Sequence, residues 1–250
     1  MFAVDVVRCA TVPDAGDEEV IRRGTSHFVY SAAELATCDV DLSARSINVR
    51  ARASAEDDYV AHFLLDVVLP RMAGLRGRCL HAAAVEVDGR AFALIGASGA
   101  GKSTLAARLA IQGATLLGDD CACVEDGVIR PTYRPSRLWP DSAALLGLDP
   151  ASADATGKVA VREEHGVSRR ATPVPLREVL VVDARQRAVG VSEALQLLLA
   201  QTFLSVVPEP ENALDDAVDF LRCYGPRRTI QRNATLADFR RLSSNADDRP

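Results

Sequence analysis

Gly96-Ala-Ser-Gly-Ala-Gly-Lys-Ser-Thr104 is a complete G-x-x-x-x-G-K-[ST] stretch, and the fold of the chain is read outward from it. An apolar run, Ala91–Ile95, feeds it, and a helix-compatible run, Leu105–Ile111, leaves it. That is the strand–loop–helix context a phosphate-binding loop requires. In such a loop the glycines let backbone N–H groups turn inward onto phosphate oxygens, while the helix N-terminus adds partial positive charge. Gly96, Ala97, Ser98, Gly99, Ala100, Gly101, Lys102, Ser103 and Thr104 are therefore the candidate nucleotide-binding residues. Lys102 is expected to reach the β- and γ-phosphates of ATP, and Ser103 to hold a magnesium ion. Only two lysines occur in the chain, Lys102 and Lys158, so a composition rich in lysine does not explain the match.

A chain of 250 residues with 48% hydrophobic content has room for one catalytic domain and a small appendage. The expected division is a small β-rich N-terminal region plus a helix over residues 1–75, then an α/β catalytic domain over residues 76–250. A net charge of −5 lacks the basic footprint of a nucleic-acid binder. No run approaches the roughly 18 apolar residues of a membrane span. The N-terminus lacks a signal-peptide pattern. The six cysteines are scattered, with only Cys121 and Cys123 close together, as C-x-C in an expected strand. Reduced thiols in a cytoplasmic protein are the expectation.

Short strands are expected at Phe2–Val7, His27–Tyr30 and Ser46–Arg52. Ser54 is the expected cap of a helix whose apolar face holds Val60, Phe63 and Val67, and Pro70 is its expected end. Cys79–Val87 and Arg90–Ile95 read as β-runs joined by Asp88-Gly89, a hairpin dipeptide. The strand that enters the phosphate loop thus pairs antiparallel with its predecessor, and the sheet should be mixed. Asp126-Gly127 marks a second hairpin. A helix is expected at Ser142–Leu146, an extended or mobile excursion over residues 149–172, a strand at Leu176–Asp183 and an apolar helix at Ser192–Val206.

Phosphoryl transfer needs clamped phosphates, magnesium and a group that orients or deprotonates the attacking oxygen. Two places supply carboxylates. Asp119-Asp120 follows the loop helix by one strand and offers one acid for metal and one for a proton. Asp183 ends an apolar strand in the manner of a Walker B element. Pattern alone does not choose between them.

From Leu80 to Asp120 the chain resembles the catalytic domain of the HPr kinase/phosphorylase family. The resemblance is carried by His81 in Leu80-His-Ala-Ala-Ala-Val85, the Asp88-Gly89 hairpin, the loop with Ser98 at its third position, Gly113 and Asp119-Asp120. The intervals from His81 to Gly96 and from Gly96 to Asp119 agree with the family's spacing. The resemblance implies the P-loop kinase core shared with phosphoenolpyruvate carboxykinase, with Asp119, Asp120, His81 and Lys102 as catalytic residues. It implies ATP and magnesium as cofactors and a tendency to form homo-oligomers. It puts the metal on Ser103 and one acid of the pair, taken here as Asp120, with the division of roles between the two acids open. Downstream, Tyr133–Asp141 carries Arg134 and Arg137 but no glutamate, and the family's later phosphorylase segment is not recognisable near Pro173–Arg177, so HPr recognition and the reverse reaction stay open. A shorter stand-alone branch of HPr-kinase-like proteins, some associated with lasso peptide maturation, is more similar.

The expected activity is therefore transfer of the γ-phosphate to a serine of a protein or peptide, with Arg137 and Lys158 as candidate substrate contacts. Two other readings share the loop. One is a P-loop ATPase or small-molecule kinase that uses Asp183; the other is a non-enzymatic nucleotide-sensing partner.

Overall fold

The computed structural model describes residues 3–9, 19–22, 26–32, 36–74, 77–132, 136–154, 156–203 and 210–244. Phe2, Arg134 and the expected helix end at Val206 lie outside them. The described residues form two compact units, 3–74 in one and 77–203 with 210–244 in the other.

The first unit is a five-stranded sheet in the order Ala3–Cys9, Ser46–Arg52, Ala36–Asp41, His27–Ala32, Glu19–Arg22. The first two strands pair in parallel and the others antiparallel. Period-two alternation buries Phe28, Tyr30, Cys38, Val40, Ile47 and Val49 on one face, where they pack with Val60, Phe63, Val68 and Met72. The helix behind those last four residues differs from expectation at both ends. It begins after Glu56, not at Ser54, and makes no side-chain cap. It also runs on past Pro70 to Ala73. The turn Leu64–Val68 is π-helical, and that wider turn lets a residue without an N–H follow without breaking the chain direction.

The second unit is mixed α/β. Its nine-stranded sheet has a central trio, Ala83–Val87, Arg90–Ile95 and Val174–Asp183. The first two form the expected hairpin, and Asp88 and Gly89 both have positive φ, at 51° and 76°, as a two-residue primed turn demands. Val174–Asp183 then lies parallel to Arg90–Ile95, with Leu180 opposite Leu94 and Val181 opposite Ile95. The pleat sends Ala83, Val85, Phe92 and Leu94 to one face and Ala84, Ala91, Ala93 and Ile95 to the other. The helix Lys102–Ile111 buries Leu105, Ala106 and Leu109 in the first face's core, which also receives Phe239 from Leu236–Ser244. Phe239 meets the Phe92 ring edge-on at 5.2 Å. The second face packs with Leu198 of Val191–Gln201 and with Phe220 and Leu221 of Pro210–Tyr224. Helices thus cover the sheet on both sides.

Several local expectations are corrected. The run Cys79–Val87 is two strands, Arg78–Leu80 and Ala83–Val87, broken at His81. Cys121 lies just before the strand Ala122–Glu125 and Cys123 within it; two residues apart, they share a face, and both thiols lie against Cys79. Hydrogen bonding among the three, with burial, pushes the Cys79 thiol far above the usual range. All six cysteines are free thiols. The helix after Trp139 is Pro140–Ala144, started by its proline. Residues 149–172 are not a loose excursion. Val159–Val161 pairs with Ser136–Leu138 in a two-stranded ribbon, and Ser168–Arg169 joins the main sheet beside Thr115–Gly118. Buried Val159 and Val161 supply the apolar alternation that anchors the ribbon. The helix expected from Ser192 is described as Val191–Gln201, and Thr202 then bridges to Leu80 in extended conformation. Among the described residues no helix is long and apolar enough to cross a membrane.

Candidate functional site

Gly96 leaves the strand Arg90–Ile95 at φ 146°, with its Cα so close to the neighbouring strand that a Cβ would stand 3.0 Å from the Val182 carbonyl oxygen. Gly101, at φ 95°, takes the left-handed conformation that caps the helix Lys102–Ile111. These two positions explain why the loop needs glycine at its ends: one for close approach, one for handedness. Lys102, only 8% exposed, folds back over the loop, and its Nζ donates to the carbonyl oxygens of Gly96 (2.9 Å) and Ala97 (3.3 Å). Burial lowers its pKa, partly offset by the charges of Asp120 and Asp119.

The acids come from a second structural device. The antiparallel ladder of Ala83–Val87 with Thr115–Gly118 reaches Ala84 opposite Gly118 and stops. It resumes as Arg78–Leu80 with Ala122–Glu125, where Leu80 faces Ala122. The two strands therefore part for three residues on each side, and His81 and Asp119-Asp120 occupy the gap. Gln201 stands beside the break: its backbone carbonyl accepts from the His81 N–H at 2.6 Å. With its amide nitrogen turned toward the loop, Gln201 donates to the carbonyls of Gly96 (3.2 Å) and His81 (3.1 Å). Asp120 completes the break with φ 61°, a left-handed conformation that Asp tolerates better than most residues.

The two acids have different surroundings. Asp119 is buried, and its carboxylate accepts from Ser103 Oγ (2.9 Å), Ser136 Oγ (2.7 Å) and the Asp120 N–H (3.0 Å). Burial, with the neighbouring Asp120 charge, pushes its pKa up to about 6 despite those three donors. Asp120 instead lines the cleft, and its Oδ1 lies 3.8 Å from His81 Nε2. Burial would raise its pKa, but His81, Lys158 and Arg137 together outweigh burial and hold it below the usual carboxylate range. The acid that meets Ser103 is thus Asp119, whereas the expectation put Ser103 and Asp120 together.

The cleft has a volume of about 240 Å³. The loop lines it through Ser98, Gly99, Gly101, Lys102, Ser103 and Thr104; Gly96, Ala97 and Ala100 are not among the lining residues. Arg137, Leu138, Trp139, Ser142 and Lys158 line it as well, with His81 and Asp120. Arg137, largely buried, lies 3.7 Å from Asp154. Against the upward push of burial, the Thr156 hydroxyl and the N–H groups of Lys158 and Thr156 keep Asp154 low. Lys158 sits over the Trp139 ring, 5.1 Å from its centroid. All the residues singled out at the loop, at His81, at the acid pair and at Arg137 and Lys158 are thereby within one region of the second unit. Asp183 is not among the lining residues. It ends its strand on the Ala184 N–H and lies 3.7 Å from Arg187.

Ser136, Trp139, Ser142 and Gln201 complete the region without having been singled out by motif. Ser136 lies 17 positions from Asp119, and only the ribbon with Val159–Val161 brings its hydroxyl back. A serine beside a proline carries no local mark of that role. Chemically, the region offers a cationic anion cradle, one buried carboxylate tied to a hydroxyl, and one open carboxylate flanked by a histidine and two cations. No protein-family model and no curated protein matches this chain.

Proposed function

We propose that this chain is an ATP- and magnesium-dependent kinase that transfers the γ-phosphate to a serine hydroxyl of a protein or peptide. The proposed core is the P-loop type that HPr kinases share with phosphoenolpyruvate carboxykinase. The observation that carries the proposal is the different placement of the two acids: Asp119 on Ser103 behind the loop, and Asp120 with His81 at the open cleft. A bare nucleotide-binding module has no use for a second, open carboxylate facing its phosphate cradle.

In this reading the triphosphate lies along Ser98–Thr104, where backbone N–H groups and the helix N-terminus meet its oxygens. Lys102 exchanges the Gly96 and Ala97 carbonyls for phosphate oxygens and balances the charge that develops during transfer. Magnesium takes one or two protein oxygens and draws the rest from phosphates and water, so Ser103 and Asp119 suffice as its protein side. Among the described residues no cluster of three or more His, Cys, Asp or Glu is placed to hold a metal. When bound, the ion would neutralise charge on the β- and γ-phosphates. Asp120 orients the acceptor hydroxyl. The serine oxygen bonds to the terminal phosphorus as the bond to the ADP oxygen breaks, and the serine proton passes to Asp120 Oδ. A carboxylate held low is a weak base, which suits a loose transition state where the proton leaves late and orientation matters most. His81, 3.8 Å away, holds that carboxylate in place.

Asp120→Asn is the sharpest test, because Asn also tolerates the left-handed backbone at this position. Its expected effect is a loss of kcat of roughly a hundredfold or more with nucleotide affinity retained. Asp119→Asn should lose magnesium dependence as well as transfer, and Asp183→Asn should behave as the unaltered protein. Transfer by Asp120→Asn at the normal rate, or its loss in Asp183→Asn, would overturn the assignment.

A further inference from the structure

Trp139 is the chain's single tryptophan, and it is 61% exposed at the cleft. Large aromatic side chains are mostly buried, and this one stands out into solvent. Its carbonyl accepts from the Ala143 N–H at 2.9 Å, and Pro140 fixes the first turn of the helix behind it. The ring edge rests over Gly157, where a Cβ would come within 3.9 Å of the indole. The Lys158 ammonium covers one face of the ring. An indole on an anchored backbone, with a cation over one face and yet open to solvent, has the form of a recognition platform.

Its position along the cleft says what it recognises. Lys158 relates Trp139 to Asp120: its ammonium is 5.1 Å from the ring centroid, its charge acts on the carboxylate, and all three line the cleft. The platform therefore stands at the acid end of the cleft, where the acceptor enters. A nucleoside hangs from the opposite end of its triphosphate. Building on the kinase reading, we infer that Trp139 binds an apolar or aromatic side chain adjacent to the acceptor serine, so that the substrate is a segment with a hydrophobic residue beside its serine.

The chain's single tryptophan makes the test specific. Three synthetic peptides share one serine and differ in its neighbour, phenylalanine, alanine or glutamate. Each is added to the full-length protein with magnesium and a non-hydrolysable ATP analogue while indole emission is followed, and phosphorylation with ATP is then measured by mass spectrometry. The phenylalanine peptide is expected to change the emission at the lowest concentration and to have the lowest KM. Trp139→Ala should raise that KM roughly tenfold, with kcat and the KM for ATP within about twofold, and Trp139→Phe should restore most of the loss. Equal binding of the three peptides, or a rise in the KM for ATP and not for peptide, overturns the inference; the second result would make the ring a base-stacking platform. The kinase reading fails separately, if no peptide gains phosphate although all bind. The binding measurements still decide the role of Trp139 in that case.

Discussion

Asp119 and Asp120 are covalent neighbours with opposite electrostatic fates, and pH separates them. Asp119, raised to about 6, must be ionised to share a metal with Ser103. Affinity for magnesium-nucleotide should therefore be level above about pH 6 and weaken roughly tenfold per unit below it, as titration calorimetry across pH 5–8 would record. Asp120→Asn, which deletes a charge that raises the Asp119 pKa, should move the break downward, and Asp119→Asn should remove it. Ser136→Ala, which deletes a donor that lowers the Asp119 pKa, should move the break upward. A break that stays put in Asp119→Asn would assign it to another group. The same shift has a signed effect on the nucleotide-free fold. Because the folded pKa exceeds the ordinary 3.8, the native state binds the proton first, and stability rises as pH falls from about 6 toward 3.8. None of this was legible in the sequence, where Asp119-Asp120 is two identical letters. Their roles diverge because the chain turns left-handed at Asp120 and sends the two carboxylates to different surroundings.

The strand elements show what pattern can and cannot reveal. The hairpins at Asp88-Gly89 and Asp126-Gly127, the loop and its helix were legible because each is specified by residues next to one another. The parting of the ladder at His81 was not. Leu80-His-Ala-Ala-Ala-Val85 reads as one strand, whereas at its break Leu80 and His81 pair with Thr202 and Gln201, more than a hundred residues away. The ribbon of Ser136–Leu138 with Val159–Val161 was missed for a related reason: three-residue strands are too short for alternation to stand out among charged and glycine residues. That ribbon carries Ser136, Arg137 and, just beyond its ends, Trp139 and Lys158. Val161 faces Ser136 across it and is fully buried. Val161→Ala should cost about 2 kcal/mol and lower the melting temperature by about 4–8 °C. It should also weaken magnesium dependence more than ATP binding, since it loosens Ser136 while leaving the loop intact. An unchanged melting temperature would mean the ribbon contributes little.

At the scale of the whole molecule, the two cores are built from different parts of the chain, and the candidate chemistry belongs to the second. The first unit's sheet and helix bury their own cluster, and the described residues that line the cleft belong to the second. The mixed sheet of the second unit was foreseeable from one hairpin, because a strand pairing with its immediate predecessor excludes a purely parallel arrangement. The helix through Pro70 was not, because a π-turn depends on packing and not on any residue that announces it. Hydrophobic patterning thus reported the layers, while the contacts that assemble the cleft came from residues distant in sequence.

Both lysines of the chain line that one cleft. Every other basic side chain with a fixed charge is arginine, so the only ε-amines on the molecule mark the proposed reaction chamber. Amine-directed chemistry thereby becomes a site probe. An acylating reagent added near neutral pH should attach at Lys158, half-buried against its indole, and more slowly at Lys102, which is 8% exposed but whose lowered pKa leaves more of it unprotonated. Peptide mapping should find the label at these two positions and at the N-terminal amine, and ATP with magnesium should protect Lys102 first. Labelling of Lys102 that ATP does not slow would separate this amine from the nucleotide.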